Sequence, residues 1–307
     1  MTNLTKKHGH ISLLVANLIF GLNNPMMRTI MPEKLSPYTV TFFRMFGGAL
    51  LFWLASIFVK KENMPKRDIL KLFFASLFGI VINQLFFFEG LSLTSPIDAS
   101  LVITLLPIIT MLFAAIFIGE PITWLKVIGV IVGASGALLL ILSSSTSENN
   151  GNFKGNLIVL VSVFSFAVYL TMFKGLISKY SPIHTMKWMF LFATIVSLPI
   201  SYTPFISTNF TALNNTDILK IFYVIFFTTF IGYMLIPIGQ KTLRPTTLSM
   251  YNYVQPIIAS FVTVAIGMDN FSYINILSAV LVFAGVYVVT QSKSKAQLDA
   301  ERAKNNL

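Results

Sequence analysis

Ten predominantly apolar stretches, each about the length a helix needs to cross a bilayer, follow one another almost from the start of the chain to residue 290. A hydrocarbon core of roughly 30 Å takes about 20 residues of helix. The stretches cover approximately 11–31, 38–59, 69–92, 97–118, 123–142, 156–176, 183–203, 217–239, 246–267 and 271–290. Turn signals mark their junctions: Met31-Pro32, Ser36-Pro37, Ser95-Pro96, Glu120-Pro121, Ser181-Pro182 and Arg244-Pro245. The pattern predicts an all-α polytopic membrane protein whose short connections set sequential helices antiparallel. Composition excludes the soluble classes. Of 307 residues, 55% are hydrophobic and 11% charged, against about 25% charged in a soluble domain, so a soluble core of this size would go uncoated. With no cysteine, a disulfide-stapled secreted domain is excluded as well.

A formal net charge of +11 would suggest nucleic acid if the basic residues formed a patch, but they lie outside the apolar spans and orient the protein instead. With the N-terminus inside, most of the 22 Lys and Arg residues fall on inner segments, among them Lys6, Lys7, Lys60, Lys61, Lys66, Arg67 and Lys293. Arg28, Lys34, Lys154 and Lys220 are the outer exceptions, and Arg44 lies within a span. The reading is a multi-pass protein of the cytoplasmic membrane with both termini cytoplasmic, a lipid bilayer as its partner and no nucleic acid. Lys6-Lys7 precedes an apolar segment that contains Asn17, Asn23, Asn24 and Pro25 and lacks a small-residue cleavage site. It reads as the first span and not as a signal peptide.

The chain also repeats. Shifted by 149 residues, Gly90 meets Gly239, Pro96 meets Pro245, Ser100 meets Ser249, Pro107-Ile108-Ile109 meets Pro256-Ile257-Ile258, and Gly136 meets Gly285. Nearer the starts of the halves, Gly9 matches Gly155 and Ser36-Pro37 matches Ser181-Pro182. This predicts a first five-helix repeat over 9–142, an outer linker over 143–154, a second repeat over 155–290 and a cytoplasmic tail over 291–307. Five is odd, so the second repeat enters from the opposite face and is inverted. Inverted repeats build alternating access in secondary transporters, with substrate held between the halves; a duplicated membrane scaffold without transport is the plainer reading.

The motifs Phe20-Gly21-Leu22-Asn23, Phe43-Arg44, Leu85-Phe86-Phe87-Phe88-Glu89-Gly90-Leu91, Thr94-Ser95-Pro96, Leu106-Pro107 and Gly119-Glu120-Pro121 resemble the EamA-type family of the drug/metabolite transporter superfamily. The resemblance covers nearly the whole chain in two copies. It implies a ten-helix fold and export or exchange of small metabolites or drugs across a bacterial inner membrane. Phe20 stands where that family often has Trp, Asp269 replaces the second Glu, and the second copy has no counterpart of Arg44.

Polar side chains inside the spans are the candidate substrate contacts, since a charge at the centre of a span costs about 2.5–3.5 kcal/mol on insertion scales. Asn17, Gly21, Asn24 and Arg28 share one face of the first span, with Asn23 and Pro25 flanking. That stripe suits a cavity wall or, more plainly, interhelical hydrogen bonding. Arg44 in the second span and Glu89 in the third fall in the outer third of the membrane. They are expected to pair, either as a permanent bridge or as a pair exchanged for substrate or proton. Tyr251, Asn252 and Gln255, followed by Pro256, offer ligand contacts in the ninth span, with Asn83, Gln84, Tyr169 and Tyr233 as further candidates. Pro25, Pro107 and Pro256 are expected to break helices, and Gly129, Gly133 and Gly136 to pack them closely, within the bundle or at a weak homodimer face. Gly133-Ala134-Ser135-Gly136 also matches the Gly-x-Ser-Gly of intramembrane serine proteases. A nucleophilic serine needs a base within hydrogen-bond reach, and His8, His10 and His184 all lie at or outside the inner surface. No metal-ligand spacing and no phosphate loop is present. The sequence therefore predicts a cofactor-free membrane transporter of a small organic molecule, not an enzyme.

Overall fold

A computed structural model describes residues 4–31, 33–94, 96–143, 153–265, 272–293 and 297–298. Asp269, most of the 143–154 linker and most of the 291–307 tail fall outside the described residues, as do the side chains of Asn24, Pro25 and Arg28. The described residues are mostly helical, with no strand. In the first half come α1 (Lys6–Arg28), α2 (Pro37–Ala55), α3 (Lys66–Ser76), α4 (Asn83–Leu93), α5 (Pro96–Ile103), α6 (Leu106–Ile118) and α7 (Trp124–Ser143). The second half holds α8 (Phe153–Met172), α9 (Lys174–Lys179), α10 (Pro182–Ile206), α11 (Asn215–Tyr223), α12 (Tyr233–Thr242), α13 (Pro245–Met250), α14 (Val254–Ala265) and α15 (Tyr273–Gln291).

Among the described residues, eight helices are long and apolar enough to cross a membrane: 37–57, 66–93, 99–118, 124–142, 153–172, 182–206, 215–242 and 273–291. Two of the ten expected spans are not among them. Amide and histidine side chains dilute the apolar character of α1, and the expected ninth span is divided into α13 and α14 by a 3-10 turn at Tyr251–Tyr253. The same division separates α5 from α6 at Thr104 and Leu105. Proline explains both. Pro107 and Pro256 lack an N–H, and each ring crowds the carbonyl four residues earlier, at Ile103 and Asn252. The expected break at Pro25 does not form, for α1 continues to Arg28. One proline removes a single ladder bond, which a packed helix tolerates.

Two further departures from α geometry escaped the sequence. A π-helical stretch, Leu77–Ile82, joins α3 to α4, and a second, Val224–Gly232, joins α11 to α12. They occupy matching places in the two halves. Ser36 and Ser181 match as well, each capping its helix through its hydroxyl ahead of a proline at the first turn.

Contacts between the halves are reciprocal. Helix α4 packs on α8 while α12 packs on α1; α6 packs on α8 while α14 packs on α1; α2 meets the second π stretch while α10 meets the first. Helices α2 and α10 pack on each other, and so do α7 and α15. Small residues permit the closest of these approaches. A Cβ on Gly90 would stand 2.8 Å from the Gly155 carbonyl, and one on Gly239 would stand 2.5 Å from Leu13. At α7 and α15, a Cβ on Gly285 would stand 2.5 Å from the Gly133 backbone nitrogen and 2.6 Å from the Gly129 carbonyl. The Gly129, Gly133 and Gly136 face is thus occupied inside the chain. The core between the halves is aromatic: Phe52 of α2 stacks on Phe190 of α10 with centroids 5.4 Å apart, and Phe190 meets Tyr233 edge-on at 5.2 Å.

Candidate functional site

A cavity of about 150 Å³ lies between the two halves, drawing its wall from α1, α2, α4, α5, α6, α8, the second π stretch, α12, the turn at Tyr251–Tyr253 and the start of α14. Seven of the residues singled out from the sequence line it together: Asn23, Arg44, Asn83, Gln84, Tyr233, Asn252 and Gln255. Both π stretches deliver part of this wall. The first ends at Ile82, immediately before Asn83 and Gln84, and the second contains Thr228 and ends immediately before Tyr233. A π turn offsets the helix face and re-aims the side chains that follow. The apolar wall comes from Phe20, Phe87, Phe88, Ile103, Leu106, Val163, Phe166 and Ile236. Apart from Phe20, Phe87, Phe88 and Leu106, which stand inside quoted motifs, nothing in the sequence sets these residues off from the other apolar positions, and none was singled out as a site.

Hydrogen bonds fix the polar part of the wall. The Gln84 side-chain amide donates to the Tyr233 hydroxyl at 2.8 Å, joining two residues that the 149-residue shift aligns with each other. Tyr253 donates to the Thr104 carbonyl at 2.7 Å, another pair related by that same shift, at the breaks in the two divided spans. Gln255 donates to Asn17 at 2.7 Å and to Asn252 at 3.0 Å. Asn83 donates to the Ser162 carbonyl at 3.1 Å, and Thr228 donates to Asn23 at 3.4 Å.

Arg44 stands apart. Its residue is 6% exposed, and its Nε is buried without a hydrogen-bond partner among the described residues. Its guanidinium lies 5.8 Å from the centroid of the Phe88 ring. Seven residues into α2, it sits about 10 Å along the helix from Pro37 at 1.5 Å per residue. The expected Arg44–Glu89 pair does not form, since no ion pair joins them among the described residues. Glu89 instead accepts a short hydrogen bond from Tyr38, nearly two turns of α2 nearer its start. Tyr38 is on the face that reaches α4 at that level, and it satisfies the carboxylate first.

Three other candidates lie off the cavity. Asn17 is buried behind it, donating to the Leu13 carbonyl and holding Gln255. Tyr169 donates to Gln240 at 3.0 Å, with its ring under Gly79 of the first π stretch. Tyr251 bonds His10 Nδ1 at 2.6 Å. Asn24 and Arg28 have side chains outside the described set. Ser135 donates to the carbonyl of Val132, one turn back along its own helix, while His8, His10 and His184 bond Thr5, Tyr251 and Ser181. No base reaches that serine among the described residues, and no group of three metal-ligating side chains gathers there either.

Ionic contacts cross between the halves at both ends of the bundle. At the end holding the α1–α2 connection, Lys34 pairs with Asp217 at 2.6 Å. At the opposite end, Lys179 pairs with Asp68 at 2.6 Å, and the Ser181 backbone donates to Glu62 at 2.9 Å. Glu120, turned into the bundle after Gly119 in the left-handed region (φ 62°), pairs with Lys126 at 2.7 Å and with Arg244 at 3.9 Å. Burial pushes the Lys174 ammonium and the Arg244 guanidinium below their usual values, and the Glu120 charge opposes both shifts.

The model of the EamA-like transporter family matches residues 7–142 and again 153–291. An uncharacterized transporter of Archaeoglobus fulgidus is 26% identical over 262 residues, covering 84% of this chain and 90% of the relative. A chloroplastic WAT1-related protein of Arabidopsis thaliana is 27% identical over 290 residues, covering 91% of this chain and 68% of that protein. A solved crystal structure superposes with a TM-score of 0.76 at 17% identity, covering 92% of this chain and 96% of that one; at that identity it speaks for the fold alone. Two tandem matches to one family model, spanning almost the whole chain, decide the assignment: the chain belongs to the EamA-like transporter family.

Proposed function

We propose that the protein is a secondary transporter that exports small organic metabolites or drugs across the cytoplasmic membrane, by alternating access between two inverted five-span halves. The observation that carries this reading is the cavity wall itself, where Gln84 and Tyr233, equivalent residues of the two halves, bond to each other beside the chamber between the halves. Equivalent residues touch when they flank a pseudo-two-fold axis. The reciprocal contacts of α4 on α8 and α12 on α1 fit such an axis, and transporters of inverted-repeat design hold substrate there. On this reading α1 and the α13–α14 pair complete ten spans, with their polar faces turned to the chamber or to neighbouring helices and away from lipid. The basic residues Lys6, Lys7, Lys60 and Lys61 support an orientation with both termini in the cytoplasm.

Purified protein in liposomes, loaded with a bacterial metabolite extract, provides the test. The reading expects one or a few solutes to leave the vesicles faster than from protein-free ones, with no nucleotide added. Identical efflux from both preparations would refute it. Export over import is tested in cells: overproduction should enrich the same solutes in the medium.

A further inference from the structure

We infer that the central cavity selects an organic monoanion, a carboxylate carried on a flat apolar body, with Arg44 as its counter-charge. The inference rests on the transport reading above and names the class of solute that reading leaves open. A guanidinium offers five N–H donors in a planar fork matched to a carboxylate. Here none of them has a protein acceptor among the described residues, and the Nε is fully enclosed. A charge inside a membrane protein pairs with another group or serves a solute. Glu89, the carboxylate expected from the sequence to pair with it, is engaged by Tyr38, so Arg44 is left for the solute.

Arg44 is the one charged residue among the described residues that line the chamber. A monoanion brings the occupied chamber to neutrality. A zwitterion would leave one positive charge there and a dianion one negative charge, each in surroundings that stabilise neither. The rest of the wall describes the body of the solute. Phe20, Phe87, Phe88 and Phe166 present ring faces and edges, which favour a flat apolar group. The Gln84 amide spends one end on Tyr233 and keeps its other end without a partner, free for one polar substituent. The volume of about 150 Å³ has room for about five waters at liquid density, or one aromatic ring with a short side arm.

Equilibrium dialysis of radiolabelled 3-phenylpropanoate against the purified full chain tests this, with phenylalanine, phenethylamine and benzylmalonate as competitors of other net charge on a like body. The expected result is saturable binding that unlabelled phenylpropanoate displaces at least roughly tenfold better than the other three, the size of one lost charge-assisted hydrogen bond. Arg44→Gln should lose at least that factor, and Arg44→Lys should lose less, since it keeps the charge and gives up the fork. Because Arg44 has no hydrogen-bond or ion-pair partner to abandon among the described residues, Arg44→Gln should melt no lower than the parent. Competition indifferent to charge, undiminished binding by Arg44→Gln, absence of binding to the parent, or an Arg44→Gln protein that melts well below the parent would each overturn the inference. Solute flux that ignores anions and Arg44 would overturn it while leaving transport standing. Charge-selective binding without flux of any solute would support the site and sink the transport reading.

Discussion

Glu120 and Arg44 are both buried charges, and their surroundings assign them opposite duties. The Glu120 carboxylate has Lys126 at 2.7 Å and Arg244 at 3.9 Å, and the Lys126 side chain is 1% exposed. Removing one partner of a buried pair leaves the other uncompensated, at a cost of about 3–5 kcal/mol. Glu120→Gln should therefore lower the melting temperature and folded yield sharply, and adding Lys126→Met should restore much of both. A Glu120→Gln protein as stable as the parent would show that the cluster contributes nothing. Arg44 and Glu89 make the contrary case. With no contact between them, a double-mutant cycle on stability should be additive within about 0.5 kcal/mol. A larger coupling would place them together after all. The expected pair failed for a reason that sequence spacing does not carry: it gave the depth of each residue but not the rotation of α2, which brings Tyr38 to Glu89 and leaves Arg44 at the chamber.

At the scale of elements, the apolar spans and the breaks near Pro107 and Pro256 were legible because length, hydropathy and a missing N–H act locally. The two π stretches were not. Leu77–Ile82 and Val224–Gly232 contain no residue type that demands π geometry, and the packing of Tyr169 against Gly79 comes from a helix far away in sequence. The aromatic wall was illegible for a related reason. With 29 Phe in the chain, the few that face the chamber are set apart only by helix rotation. The glycine matches between the halves were more informative, since they coincide with the closest helix approaches. Gly285→Leu should separate α7 from α15, because its Cβ would meet backbone atoms at 2.5 and 2.6 Å that cannot move aside. Overpacking of this kind costs about 1–3 kcal/mol or more, read as a fall in melting temperature. Gly175→Ala, with nothing within 4 Å of the added carbon, should be silent. Equal melting of the two variants would contradict the close packing.

The whole molecule has two ends closed by ionic contacts and a chamber between them. Lys34–Asp217 joins the halves at one end, and Asp68–Lys179 with Glu62–Ser181 joins them at the other. Alternating access requires that one set open while the other holds. Because the native chain has no cysteine, a single cysteine placed at Thr228 in the chamber wall reports access cleanly. In right-side-out and inside-out vesicles, a membrane-impermeant thiol reagent should label Thr228→Cys from either face. Closing the Lys34–Asp217 end, with cysteines at both positions joined by a short bifunctional reagent before the chamber cysteine is probed, should abolish labelling from that face and preserve or raise it from the other. Labelling from one face only, indifferent to the cross-link, would contradict a chamber that opens alternately to the two sides.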